Sequence, residues 1–160
     1  MGIPDRALEL EIRSLGSNGE PTLGEAYEVL RACWRSGDRG RELGLHLMFL
    51  AWYMLCEPSQ YTGLNVKRTP LSELVDRFNE VHDYFAFVVS GDAEMLYAIG
   101  LMAYLFPFLL GDERLWEARS REYRAKYRKL APAGIDPAVF EGRGAYGEYF
   151  RHQAKGANAY

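Results

Sequence analysis

The chain has 160 residues, a formal net charge of −3 and a hydrophobic fraction of 48%. That length suits one domain with its own core and no covalent staples. The acidic balance argues against general nucleic-acid binding, and Cys33 and Cys56 lack metal-type spacing and read as free thiols in a reducing cytoplasm. No basic segment followed by an apolar run opens the chain, so no secretory signal is expected. Charge is uneven: residues 1–110 hold nine Lys/Arg and fifteen Asp/Glu, residues 111–160 ten and seven.

Ile3 to Leu15 reads as an amphipathic helix with Leu8, Ile12 and Leu15 on its inner face. Gly16 to Pro21 breaks it. Thr22-Leu23-Gly24-Glu25 has the form of a capping box. The second helix follows, carrying Tyr27, Leu30, Cys33 and Trp34 at helical spacing. Gly37 stops it and Asp38 is placed to cap the third, which runs to about Cys56 before Pro58. Ser59 to Arg68 is the longest polar connection. Thr69 and Pro70 suit the N-cap and first position of a fourth helix. Its core stripe is Leu74, Phe78, Val81, Phe85 and Val88. Gly91-Asp92 leads into a fifth helix, Met95 to Leu110, kinked at Pro107. Gly111-Asp112 leads into a sixth, Leu115 to Leu130, stopped by Pro132. Asp136-Pro137 caps a last helix interrupted by Gly142, Gly144 and Gly147.

Two stretches share one pattern. Ser36-Gly37-Asp38 precedes the apolar Leu43 to Cys56, and Ser90-Gly91-Asp92 precedes the apolar Met95 to Leu110. The corners lie 54 residues apart, as in a duplicated helical hairpin. Tyr123 to Pro132 resembles the second helix of a tetratricopeptide repeat, but that repeat has a period of about 34 residues. The two apolar stretches contain no charged residue, yet fall short of the about 20 residues a membrane span needs. They read as the two most buried helices. The expected fold is therefore all-α: one domain over 1–160, an antiparallel bundle or short α-hairpin array of six to seven helices, with 132–160 as a C-terminal closing segment.

Gly142-Arg143-Gly144-Ala145-Tyr146-Gly147 matches G-x-G-x-x-G, and it superficially resembles the glycine-rich loop of protein kinases. A dinucleotide loop needs a strand before it, and a kinase needs a downstream catalytic loop for which there is no room. The pattern reads better as a tight turn that folds the C-terminal segment back. Arg143, Tyr146, Tyr149 and His152 form a candidate binding cluster for an anion or a partner carboxylate, because a glycine-rich backbone exposes N–H groups, Arg143 adds a fixed charge, and Tyr and Arg dominate many interfaces. Glu73, Asp76, Glu80 and Asp83 make an acidic stripe on the fourth helix. No Glu-x-x-His occurs to complete a di-metal site, so the stripe reads as solvated or salt-bridged. Arg114, Arg121, Arg124 and Arg128 share a face of the sixth helix, opposite Trp116, Tyr123, Tyr127 and Leu130. The acidic and basic stripes are placed to meet in an electrostatic seam. His46, one turn from Glu42, reads as a satisfied core histidine.

No catalytic constellation, cofactor motif or metal site emerges. The expected function is a non-enzymatic helical protein-binding module of adaptor, regulatory or toxin-neutralising type. It would be cytoplasmic and soluble, with another protein as partner and neither nucleic acid nor a membrane span involved. The alternative is a small helical enzyme or ligand-binding protein with a pocket near the Pro107 kink or the Arg143 loop.

Overall fold

Apolar residues recurring at helical spacing become helix almost everywhere. The computed structural model of the protein describes residues 2–156. Over them run α1 (Asp5–Arg13), α2 (Leu23–Arg35), α3 (Arg41–Cys56), α4 (Ser59–Thr62), α5 (Leu71–Val89), α6 (Ala93–Leu105), α7 (Glu113–Leu130) and α8 (Gly144–Lys155). Short 3-10 turns occupy Pro107–Leu110 and Pro137–Phe140. No strand occurs among the described residues, and the protein is an all-α helical bundle. Among the described residues the α-helices number eight rather than six or seven. The polar connection after Pro58 coils into the single turn of α4, and the Asp136-Pro137 segment forms a 3-10 turn ahead of α8.

Helix α3 is the hub. It is apolar on almost every side, so water is excluded all round it. It packs against α2, α5 and α8 and touches α6. A Cβ at Gly44 would strike the ring of Phe85, so glycine there lets α5 lie close on α3. Helix α6 is equally apolar and packs mainly on α7. Both apolar stretches are buried as expected, the second only as far as Ala103. Beyond it Tyr104, Leu105, Phe106 and Phe108 are exposed. Pro107 is the reason. It does not kink a helix; the α-helix ends at Leu105, and Pro107 opens a 3-10 turn, where its missing N–H leaves no bond unmade.

Other expectations shift by a residue or a partner. The buried face of α1 is Ala7, Leu10 and Glu11, whereas Ile12 and Leu15 face solvent. The stripe on α5 is Leu74, Phe78, Val81 and Phe85 as spaced, but it closes on Val89, not Val88. Asp92 and Asp112 cap α6 and α7 by accepting from the N–H groups of Met95 and Leu115. Asp38 does not cap α3; its carboxylate takes the Gly40 N–H, and α3 starts after Gly40. Thr22 stands at the N-cap of α2 as expected, but its side chain makes no capping bond. Its hydroxyl donates to the Leu10 carbonyl at 2.5 Å, which ties α1 to the start of α2. Pro70, not Thr69, sits at the N-cap of α5.

The electrostatic seam is also redirected. Glu73 on α5 takes Arg31 at 2.8 Å and the Tyr27 hydroxyl at 3.0 Å, and Glu80 takes the Trp34 indole N–H at 2.7 Å. All three donors belong to α2. Among the described residues only Asp83 of this stripe reaches α7, with Arg119 at 3.9 Å. Arg114, Arg121 and Arg128 remain exposed, and so does Leu130, while Trp116, Tyr123 and Tyr127 are buried.

Candidate functional site

The glycine-rich run is where the chain turns back on the bundle. Gly142 and Gly144 have φ of +71° and +68°, a region that disfavours side chains. Gly144 opens α8 directly against Glu11 and Leu8, and a Cβ on Gly147 would overlap the Phe140 carbonyl. A 3-10 turn precedes the run rather than a strand. The pattern thus serves close packing of α8, without the strand a phosphate loop requires.

Packing α8 down brings together a buried ionic network that spans four helices. Glu11 lies at its centre with no exposed surface. One oxygen accepts from the Tyr146 backbone N–H at 3.1 Å, in the first turn of α8, where a negative charge meets the positive end of the helix dipole. Its other oxygen lies 2.6 Å from His46 Nδ1. His46 Nε2 lies 3.2 Å from Glu42, and Arg143 Nε donates to the same Glu42 oxygen at 2.9 Å. Arg143 also reaches Glu94 at 2.7 Å. The Tyr146 hydroxyl donates to Glu94 at 2.6 Å, and Arg41 reaches Glu94 at 3.2 Å and Asp92 at 2.7 Å.

This geometry dictates protonation. A histidine with a carboxylate at each ring nitrogen satisfies both only as the imidazolium. Burial works against that charge more than any other single influence, but the hydrogen bonds to Glu11 and Glu42 together outweigh it and raise His46 to about 9. Burial likewise opposes the Glu42 charge, yet hydrogen bonds from His46 and Arg143 pull Glu42 down to about 2. Burial first, then Glu94, hold the Tyr146 phenol well above its ordinary value. Every group in the network is therefore committed to another.

Beside this network lies an open groove of about 500 Å³. Its floor and walls are Phe49 and Tyr53 from α3, Glu57 just after it, the 14–20 turn after α1, Tyr61 of α4, and Glu148, Tyr149 and His152 of α8. The rings form one continuous cluster. Tyr149 stands 5.5 Å from both Phe49 and Trp52 and 6.1 Å from Tyr53. Tyr61 projects into solvent at the rim. Another open depression, of about 310 Å³, lies beside Pro107, lined by Tyr104, Glu117 and Arg121.

The four residues singled out from the sequence divide into two pairs. Arg143 and Tyr146 lie in the ionic network, Tyr146 with no exposed surface. Tyr149 and His152 line the groove. Other contributors do not stand out in the sequence, Glu11, Glu94 and Glu57 among them. Glu11 sits in the run Ala7, Leu10, Glu11, Ser14, a helical stripe that competes with Leu8, Ile12, Leu15 and that an acidic residue disguises. Glu94 hides in the first turn of an apolar helix. Glu57 follows the last residue of α3 and looks like an ordinary loop carboxylate. Among the described residues no group of three or more His, Cys, Asp or Glu is placed to hold a metal ion, and no helix is long and apolar enough to cross a membrane.

Compared with protein-family models, curated proteins and solved structures, the chain finds no match in any of the three. A functional reading must therefore come from the geometry of the site.

Proposed function

We propose that the protein is a non-enzymatic helical binding module, and that a protein partner docks in the groove between α3 and α8. The observation that carries this reading is the groove itself: an open concavity of about 500 Å³ lined by aromatic side chains, the residue type enriched at protein interfaces. Tyrosine supplies large contact area with little entropy to lose, which suits recognition. An enzymatic reading has less support. The histidine with the richest polar surroundings, His46, is protonated and engaged on both nitrogens, so it has no lone pair to offer as a general base. The half-buried free thiols Cys33 and Cys56 suit a reducing compartment, and the reading places the module in the cytoplasm.

The test is a displayed random-peptide library selected on the intact protein. Binders are then screened against the groove variant Tyr53→Ala/Tyr149→Ala and against Phe87→Ala on the far side of α5. The reading expects binders that are lost on the first variant and kept on the second. Binders that ignore the groove variant, or none at all, would overturn it.

A further inference from the structure

We infer that the segment received by this groove is basic: an arginine or lysine side chain of a partner protein lies across Tyr53 and Tyr149 with its charge toward Glu57. The inference rests on the groove being the docking site and specifies what fills it.

Three carboxylates line the groove, and two are already matched. Glu20 holds Arg13 at 2.6 Å, and Glu148 holds Arg151 at 3.2 Å. Glu57 is different. Among the described residues no Lys, Arg or His lies within ion-pair distance of it. Its charge is nonetheless felt by its neighbours. Burial chiefly, with Glu57 and Cys56 adding to it, raises the Tyr53 phenol, and burial followed by Glu57 pushes the Cys56 thiol up to about 12.

The backbone adds to the same sign. Helix α3 ends at Cys56 beside the groove and carries no basic residue in its last turn. Helix α1 ends at Arg13, and the residues that follow it form the facing wall. The last carbonyls of α3 leave a partial negative charge at that end, whereas those of α1 are already taken, Leu10 by Thr22, Glu11 and Ile12 by Ser14 and Leu15, and Arg13 by Glu20. The rings contribute as well, since an aromatic face is electron-rich and attracts a cation, most of all one already stripped of water. The bundle uses this chemistry internally: Arg39 lies over the Trp34 ring at 3.9 Å, and Arg119 over Trp116 at 4.6 Å.

The alternatives fit less well. An acidic segment would face Glu57 and the C-terminus of α3, both of like sign. A purely apolar segment would cover Glu57 and strip its water without returning a partner, which is costly for a carboxylate. A lysine or arginine lays its apolar stem along the rings and brings a charge to Glu57, which satisfies both surfaces at once.

The experiment is a titration of the isotope-labelled protein, followed by amide NMR, with four peptides identical except at one central residue. That residue is Arg, Lys, Gln or Glu between leucines. The expected result is that the Arg and Lys peptides shift the amides of Tyr53, Glu57 and Tyr149. The Gln and Glu peptides should do so at least about tenfold more weakly. Glu57→Gln should remove most of that preference without altering the spectrum elsewhere, and added salt should weaken the Arg peptide. Equal groove binding by the Gln or Glu peptide would overturn the basic partner while leaving the groove as a docking site. No shift in the groove with the Arg or Lys peptide would also overturn it, and the library selection would then judge the groove separately. Methylguanidinium binding as tightly as the Arg peptide would overturn the protein partner in favour of a small cation.

Discussion

At the scale of single residues, the ionic network and the groove make opposite predictions for neighbouring side chains. Arg143 neutralises Glu42 and Glu94, neither of which has full access to water. Arg143→Ala leaves both carboxylates short of a partner, and breaking a buried pair costs about 3–5 kcal/mol. The pair is partly solvated, so a loss of about 2–3 kcal/mol in urea unfolding is expected. Groove binding by the fraction still folded should be unchanged; binding lost with stability intact would place Arg143 in the interface instead. The pH profile follows from the same network. His46 is raised from 6.5 to about 9, so its contribution is complete below about 6.5 and disappears as pH climbs through 9. Glu42 is lowered from 4.5 to about 2, so its contribution is present above 4.5 and lost as pH falls toward 2. Melting temperature should therefore drop by several degrees between pH 6.5 and 9.5. His46→Gln should start lower and flatten that alkaline limb. An unchanged limb in the variant would show that His46 is not its cause.

At the scale of elements, helices could be read from spacing, but faces and ends depended on contacts made far along the chain. The α5 stripe was legible because Leu74, Phe78, Val81 and Phe85 are unambiguously apolar. The inner face of α1 was not, because Glu11 owes its burial to His46 and to the first turn of α8, 135 residues away from Glu11 at Tyr146. The end of α6 was misplaced for a local reason: a proline inside an apolar run can kink a helix or follow one, and hydrophobicity does not separate the two. Half of the candidate site was legible in the same limited sense. Tyr149 and His152 stood out by composition, but the α3 and α4 side of the groove, Tyr53, Glu57 and Tyr61, comes from residues about 90 positions earlier. Helix α8 itself gives a sharp test. Gly→Ala in a helix interior normally stabilises, by up to about 1 kcal/mol. Gly147→Ala should do the reverse, because its new methyl meets the rigid Phe140 carbonyl. A higher melting temperature for this variant would mean that α8 does not lie against the 3-10 turn.

At the scale of the whole molecule, the question is whether α8 is an appendage or part of the core. Its side chains argue for the core. Tyr146 and Phe150 are fully buried, and Phe49 packs on Tyr146, Tyr149 and Phe150 at 5.5–5.9 Å between ring centres. Tyr97 of α6 packs on Phe140 and Phe150. Charge leads to the same conclusion. Without residues 132–160, the chain would keep Glu11, Glu42 and Glu94 but lose Arg143, the Tyr146 N–H and the Tyr146 hydroxyl that satisfy them. Glu11 and Glu42 would share His46 alone and Glu94 would keep only Arg41, and carboxylates short of donors are costly enough to consume much of a total stability of about 5–15 kcal/mol. A chain ending at Ala131 is therefore expected to lose its sharp melting transition rather than merely melt at lower temperature. In the intact protein, the Tyr146 amide should exchange with solvent as slowly as the amides in the middle of α3, through global unfolding only. Fast exchange at Tyr146 with slow exchange in α3, or a cooperative transition in the shortened chain, would make α8 a detachable cover over a core that folds without it.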